Sequence, residues 1–280
     1  MAAARRQRVG AAAAEIVFAT QFQTGRGLTD WRSLGAPGDE ILTGPVIAVN
    51  QVSGSVHVLV LLRTGGIVRC SRDAAGGWGR WKAVTPGPYT GDFVALMPHG
   101  GPLEILAVGS VVVDRWVGVA NGRFELRDRL STPVVAGSPL SLETGPKRAT
   151  YFWRYPGDDS LVAWRPPGQA QLDRGLLPVG GAGTGRAGAA RALVGGFDCT
   201  VLAQRGVAGG IEVTAYGTEN EHYGAWRAEL GGEEVSAPRV VVDGTGRIVV
   251  AAVDRAGRVL MARQDVGQQG LAFEDWSRLG

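Results

Sequence analysis

Apolar residues in this chain fall into short runs of about five, the usual length of a β-strand. Each run is broken by glycine-rich punctuation. Val56-His57-Val58-Leu59-Val60-Leu61-Leu62 runs into Thr64-Gly65-Gly66 and then Ile67-Val68-Arg69-Cys70-Ser71. Pro238 to Val242, the Asp243-Gly244 turn, Arg247 to Val253, the Ala256-Gly257 turn and Val259 to Arg263 repeat that rhythm near the other end. Gly-rich joints between β-branched runs predict antiparallel hairpins. No stretch sustains a helical period, so the fold class read here is all-β.

The runs group in fours, and a tryptophan phrase closes most groups. The phrase is Leu28-Thr29-Asp30-Trp31-Arg32-Ser33-Leu34-Gly35 near the start and Phe273-Glu274-Asp275-Trp276-Ser277-Arg278-Leu279-Gly280 at the end. It recurs around Trp81 and Trp226. Trp31 to Trp81 and Trp226 to Trp276 are each 50 residues, and the 145 residues between Trp81 and Trp226 fit three more units. In that gap Leu126 and Leu172 stand where the tryptophan is expected.

Four-stranded units with a period near 50 predict the blades of a β-propeller. The expected repeats cover about 36–84, 85–128, 129–176, 177–230 and 231–280, with a half-repeat at 16–35. Residues 16–280 are expected to form one propeller domain, and residues 1–15 a flexible tail. Five blades plus an N-terminal half-blade is the favoured count, with six blades the alternative. Within this scheme Gly180 to Gly188 is the longest loop, and Ala170–Asp173 closes the third blade.

Composition narrows the function classes. The 44 glycines and 14 prolines are spread along the chain, as an all-β protein full of tight turns requires. The formal charge is +3, with no basic run interleaved with aromatics, which argues against nucleic acid as a partner. No apolar run is long enough to span a membrane. Arg5, Arg6 and Arg8 followed by Ala11 to Ala14 give only a faint leader pattern, which Glu15 interrupts. The expected location is therefore cytoplasmic, or release without a conventional signal peptide. Cys70 and Cys199 lie inside strand-like runs and are expected to be free and buried.

The aromatic-x-x-Trp-x-x-Leu closure, followed by a Gly-rich loop and a strand pair, resembles the bacterial fucose-binding lectin-like propellers and, more distantly, the tectonins. The resemblance covers nearly the whole chain and is clearest over 28–84 and 223–280. It implies a saccharide-binding propeller with pockets at blade interfaces, often assembled as a homo-oligomer. The well-known bacterial members have seven blades, for which this chain is too short.

Two sets of residues stand out as candidate ligand contacts. The first is the repeat tryptophans Trp31, Trp81, Trp226 and Trp276. They either pack blade against blade or offer an indole to the apolar C–H face of a sugar. The second set breaks the repeat: Asp114, Arg115 and Trp116 in the second blade, and Tyr151, Trp153, Arg154, Tyr155 and Trp164 in the third. They could form one asymmetric site between those blades, or fill the space left by the missing repeat tryptophans. Asp114, a carboxylate in an apolar strand, needs a partner and could find an arginine on a neighbouring strand.

His57, His99 and His222 lie in different blades without metal-ligand spacing, and no nucleophile elbow or phosphate loop is present. No metal, cofactor or catalytic residue is assigned. A saccharide-binding lectin-like protein is the first reading. A propeller enzyme acting on a small molecule, or a protein-interaction scaffold, are the others, since one fold hosts many functions.

Overall fold

The computed structural model describes residues 2–9, 13–20, 27, 29–37, 47–50, 54–90, 92–167, 175–232 and 235–278. The chain divides into two compact units, Met1–Pro133 and Val134–Gly280, both built from antiparallel sheets. Among the described residues no helix is long and apolar enough to cross a membrane.

The N-terminal unit holds three sheets. β1 (Ala2–Val9), β2 (Ala13–Thr20) and β3 (Arg32–Ser33) form a three-stranded sheet. Residues 2–9, expected as tail, are therefore a strand, paired along their whole length with β2 from Ala2↔Thr20 to Val9↔Ala13. The second sheet is β4 (Ile47–Asn50), β5 (Val56–Leu61), β6 (Ile67–Arg72) and β7 (Lys82–Thr85), in that order. The third is β8 (Asp92–Leu96), β9 (Glu104–Val108), β10 (Val112–Gly118) and β11 (Phe124–Ser131), again in sequence order.

Strand β5 shows why its sequence is aliphatic at nearly every position. Leu59 and Leu61 enter a core shared with Phe93, Leu103 and Ile105 of the third sheet. Val58 and Val60, on the opposite face, pack with Ile16 of the first sheet. A second strand whose two faces both meet a neighbouring sheet loses the apolar–polar alternation of a half-exposed strand. At the β5–β6 turn, Gly65 has φ 82°, and a Cβ there would lie 2.6 Å from the amide nitrogen of Tyr89. Both conditions select glycine.

In the C-terminal unit, β12 (Leu140–Gly145), β13 (Arg148–Arg154), β14 (Ser160–Trp164), β15 (Leu177–Val194), β16 (Phe197–Gly206), β17 (Ile211–Gly217) and β18 (Asn220–Gly231) make one seven-stranded sheet. β19 (Arg239–Val242), β20 (Ile248–Val253), β21 (Val259–Arg263) and β22 (Ser277–Arg278) make a four-stranded one.

The expected loop at Gly180–Gly188 is instead the middle of β15, an 18-residue strand. Its first part pairs with β14, from Ser160↔Ala182 to Ala163↔Leu177. Its second part pairs with β16, from Gly188↔Ala203 to Val194↔Phe197, after a register shift between Thr184 and Gly188. One strand thus closes one four-stranded array and opens the next. Two of its glycines answer to crowding rather than looseness. A Cβ at Gly183 would sit 2.6 Å from the Arg205 carbonyl, and one at Gly188 would sit 2.8 Å from the Val240 amide nitrogen. The strand expected at Ala170–Asp173, and Leu172 with it, lie outside the described residues.

Candidate functional site

Two repeat tryptophans act as fasteners between successive sheets. Trp81 Nε1 donates to the Leu34 carbonyl at 3.0 Å. Trp276 Nε1 donates to the Leu230 carbonyl at 2.6 Å. In each case the acceptor is the leucine that ends the preceding tryptophan phrase. The rings pack on the cores of their own units. Trp31 is more open, at 38% exposure. Trp226 packs partly on the core, with its ring tilted 33° against Phe197 at a centroid distance of 6.0 Å.

The residues that break the repeat in β10 are held by partners of their own. Asp114 is buried and lies directly across from Arg129 on β11. Arg129 donates to both its carboxylate oxygens, at 2.7 and 2.8 Å. Tyr89 donates its hydroxyl hydrogen to Asp114 Oδ2 at 2.8 Å and accepts from Trp116 Nε1 at 2.7 Å. Burial pushes the Asp114 carboxyl up, but the bonds from Arg129 and Tyr89 outweigh it and hold the group below the usual carboxylate range. Arg115, on the other face of the strand, forks onto Glu104 at 2.8 and 2.9 Å and reaches Asp128 at 2.7 Å. Trp116 stands across from Leu126, where the repeat tryptophan is missing. It packs partly against the core between the second and third sheets.

The aromatic run of β13 is internal. Tyr151, Phe152, Trp153 and Arg154 are each 0% exposed, and Tyr155 alone emerges, beyond the strand end. Tyr151 meets Trp164 across the strands at a ring distance of 5.8 Å. Arg154 donates to the carbonyls of Gly185 and Asp159, at 2.8 and 2.9 Å, and to Gln204 Oε1 at 3.3 Å. Burial lowers its pKa, opposed by Asp159 and Glu212. These side chains tie β13 to the switch region of β15, which explains why an arginine occupies a strand of large aromatics.

Trp226 is different, because it lines a cleft of about 620 Å³ in the C-terminal unit. Leu193 and Gly195 reach it from the β15–β16 end, and Thr245, Gly246 and Arg247 from the β19–β20 turn. Gln264, Val266, Gln268, Gln269 and Gly270 come from the segment before β22. The turn is braced by Asp243. Its Oδ1 accepts from the Thr245 amide at 2.8 Å, the Thr245 hydroxyl at 2.6 Å and the Arg247 amide at 3.1 Å. The bond from the Thr245 hydroxyl, then those from the two amides, hold the Asp243 carboxyl below its ordinary range.

Arg247 donates to the Gln264 carbonyl at 2.8 Å and pairs with Glu274. Gln268 is anchored on Asp265 at 2.7 Å. Gly270 packs against the indole so closely that a Cβ there would meet Trp226 Cδ1 at 3.2 Å. The cleft is thus lined by an indole on β18 and by a guanidinium, amides and a hydroxyl from the braced β19–β20 turn and the segment before β22. That combination suits a polyhydroxylated ligand with one apolar face.

A second cleft of about 610 Å³ lies along Pro178–Gly181, Gln204, Glu212, Tyr216, Glu221, Arg227 and Glu229. Three of its polar side chains are committed to partners. Gln204 donates to Glu212 Oε2 at 3.1 Å, and Glu221 pairs with Arg165. Among the described residues no group of three or more His, Cys, Asp and Glu side chains could hold a metal ion. Cys70 and Cys199 are free and buried.

Of the twelve residues singled out from sequence, Trp226 reaches the first cleft, while Trp81 and Trp276 serve packing. Arg247, Gln264 and Gln268, which line the same cleft, and Glu274, which pairs with Arg247, are not among the twelve. One signal was present: in the fifth repeat a polar turn delivers an arginine at the start of the second strand, with Glu274 two residues before the repeat tryptophan.

No protein-family model matches the chain, and no curated protein matches it in sequence. Solved structures do match. AofleA from Arthrobotrys oligospora is 11% identical, with a TM-score of 0.64 over 95% of this chain and 79% of that one. The lectin of Aleuria aurantia, a fungal lectin described as a six-bladed β-propeller, is 11% identical, with a TM-score of 0.60 over 98% of this chain and 94% of that one. SapL1 lectin, solved with alpha methyl fucoside, is 13% identical, with a TM-score of 0.60 over 97% and 96%. At these identities the likeness establishes the β-propeller fold. The neighbours include a fungal lectin, so the resemblance is not specifically bacterial.

Proposed function

We propose that this chain is a saccharide-binding propeller, and that Trp226, Arg247, Gln264 and Gln268 hold the sugar in the cleft before β22. The observation that carries this is the placement of the Trp226 indole beside an arginine already oriented by Glu274 and the Gln264 carbonyl. A pyranose presents an apolar C–H face and a ring of hydroxyls, and both halves find their complement here. Two neighbours support the reading: the Aleuria aurantia lectin is described as fucose-specific, and SapL1 was solved with a methyl fucoside. A deoxyhexose of the fucose type is the sugar class we favour.

The architecture we favour has six blades. The three-stranded β1–β3 sheet is the first, and the long β15 is shared by the fourth and fifth. We take the protein to bind rather than turn over its ligand, because the arginine of the cleft is committed to Glu274 and no carboxylate is among the described residues that line it.

A glycan-array screen that includes fucosylated and O-methylated sugars tests the proposal, with hits titrated by tryptophan fluorescence. Saturable binding that disappears in Trp226→Ala supports it. Binding that survives that substitution places the site elsewhere, and an empty array removes the saccharide reading.

A further inference from the structure

Three of the large apolar side chains most exposed on the described surface gather at the same cleft. Leu193 is 64% exposed, Phe197 63% and Val266 68%. Leu193 and Val266 line the cleft itself, and Phe197 stands against the Trp226 ring. Single exposed aliphatics need no explanation, but a cluster at the mouth of a polar cavity does.

Strand geometry does not force the cluster. Val194, next to Leu193 on β15, is fully buried and supplies the core, so Leu193 faces outward at a position that any polar residue could fill. Its neighbour two residues back, Arg191, takes the polar option and pairs with Asp198. Leu193 and Phe197 flank the tight Gly195–Gly196 turn, where both glycines have positive φ, 59° and 84°. Apolar groups are thus fixed on one rim, while Val266 supplies another apolar contact from the segment before β22.

We propose that the cleft recognises a saccharide carrying an apolar aglycone, an alkyl or aryl group, with the sugar on Arg247 and the amides and the aglycone on Leu193, Phe197 and Val266. This rests on the saccharide reading of the same cleft and adds the class of glycoside. A free sugar leaves this rim wet. A linked alkyl chain covers it and gains the apolar transfer energy that the polar part of the cleft cannot supply.

The test is calorimetric titration of the full chain with methyl α-L-fucopyranoside and with octyl α-L-fucopyranoside, the latter kept below its micelle concentration, with octanol as a third probe. The expected result is about tenfold or more tighter binding of the octyl glycoside, the gain from two or more buried methylenes. In Leu193→Ser and Val266→Ser, both exposed positions, the gain should fall severalfold while the methyl glycoside binds as before. Equal affinities for the two glycosides overturn this inference and leave the saccharide reading standing. A gain that persists in both variants overturns it as well, since the chain then sits elsewhere. Octanol binding as tightly as the octyl glycoside shows a plain apolar site and overturns it too. If neither glycoside binds, the saccharide reading falls with it.

Discussion

Trp276 Nε1 and the Leu230 carbonyl oxygen lie 2.6 Å apart, so the last tryptophan phrase of the chain is hydrogen-bonded to the end of the one before it. Trp81 and Leu34 repeat the relationship at 3.0 Å in the N-terminal unit. This explains the spacing of the phrases. A repeat that fastens each unit to its predecessor needs tryptophan and leucine at fixed offsets, since the indole must reach a particular carbonyl while its ring enters the core. Trp276→Phe keeps an aromatic ring but abandons the carbonyl. We expect a loss of about 1–2 kcal/mol, from the bond and the reduced packing area, and a similar loss for Trp81→Phe. Urea midpoints measure both, and unchanged midpoints would remove the fastener from the account.

Arg115 makes a second prediction. It forks onto Glu104, whose side chain is only 2% exposed. Arg115→Met strips a buried carboxylate of two charge-assisted bonds, at an expected cost of about 3–5 kcal/mol. Pairing it with Glu104→Leu should recover most of that loss. A double variant as unstable as the single one would mean that the arginine acts through its packing and not through the pair.

Trp153 was a natural candidate for a sugar contact, and the structure encloses it completely. Trp153→Ala should cost about 3–5 kcal/mol by opening a cavity. Its buried Nε1 has no hydrogen-bond partner among the described residues, so Trp153→Phe should be much milder. The sugar affinity of the Phe variant should match the wild type. A binding defect without a stability defect would return Trp153 to the site.

His57 gives a pH dependence of known sign. Burial, then the nearby positive charge of Arg69, lowers its pKa from 6.5 to about 4, and its Nδ1 meets Ser71 Oγ at 2.8 Å. The unfolded chain therefore binds a proton that the folded chain refuses. Stability is complete above pH 6.5 and falls as the pH drops toward 4. Allowing for partial solvent access, the loss is about 1–2 kcal/mol. Urea midpoints at pH 7 and pH 4.5, for wild type and His57→Asn, should show the variant losing less over that interval. Parallel losses would assign the acid sensitivity to other groups.

The strands were legible wherever burial imposed a pattern. β5 is aliphatic on both faces because it lies between two other sheets, and the tryptophan phrases keep their spacing because of the fasteners. β15 was misread because Gly183 and Gly188 serve close approach, and composition alone cannot separate a crowded glycine from a flexible one. Asp114 and its need for an arginine could be read from its apolar surroundings, and Arg129 meets that need. Arg247, Gln264 and Gln268 are not legible as a group, because they come from two separate segments that meet only once β19–β22 fold. Residues as bulky as Trp153 and Trp164 drew notice by size, which signals core packing at least as often as contact with a ligand.

The most direct test of the account is the affinity of Arg247→Met for the tightest sugar found on the array, measured beside the wild type with urea midpoints as a control. Arg247 is partly exposed and the methionine keeps its apolar stem, so the fold should hold. At least a tenfold weaker association is expected, about 1.4 kcal/mol of lost binding energy, with nearly unchanged stability. An affinity within twofold of wild type would contradict it and move the saccharide away from the Trp226 cleft.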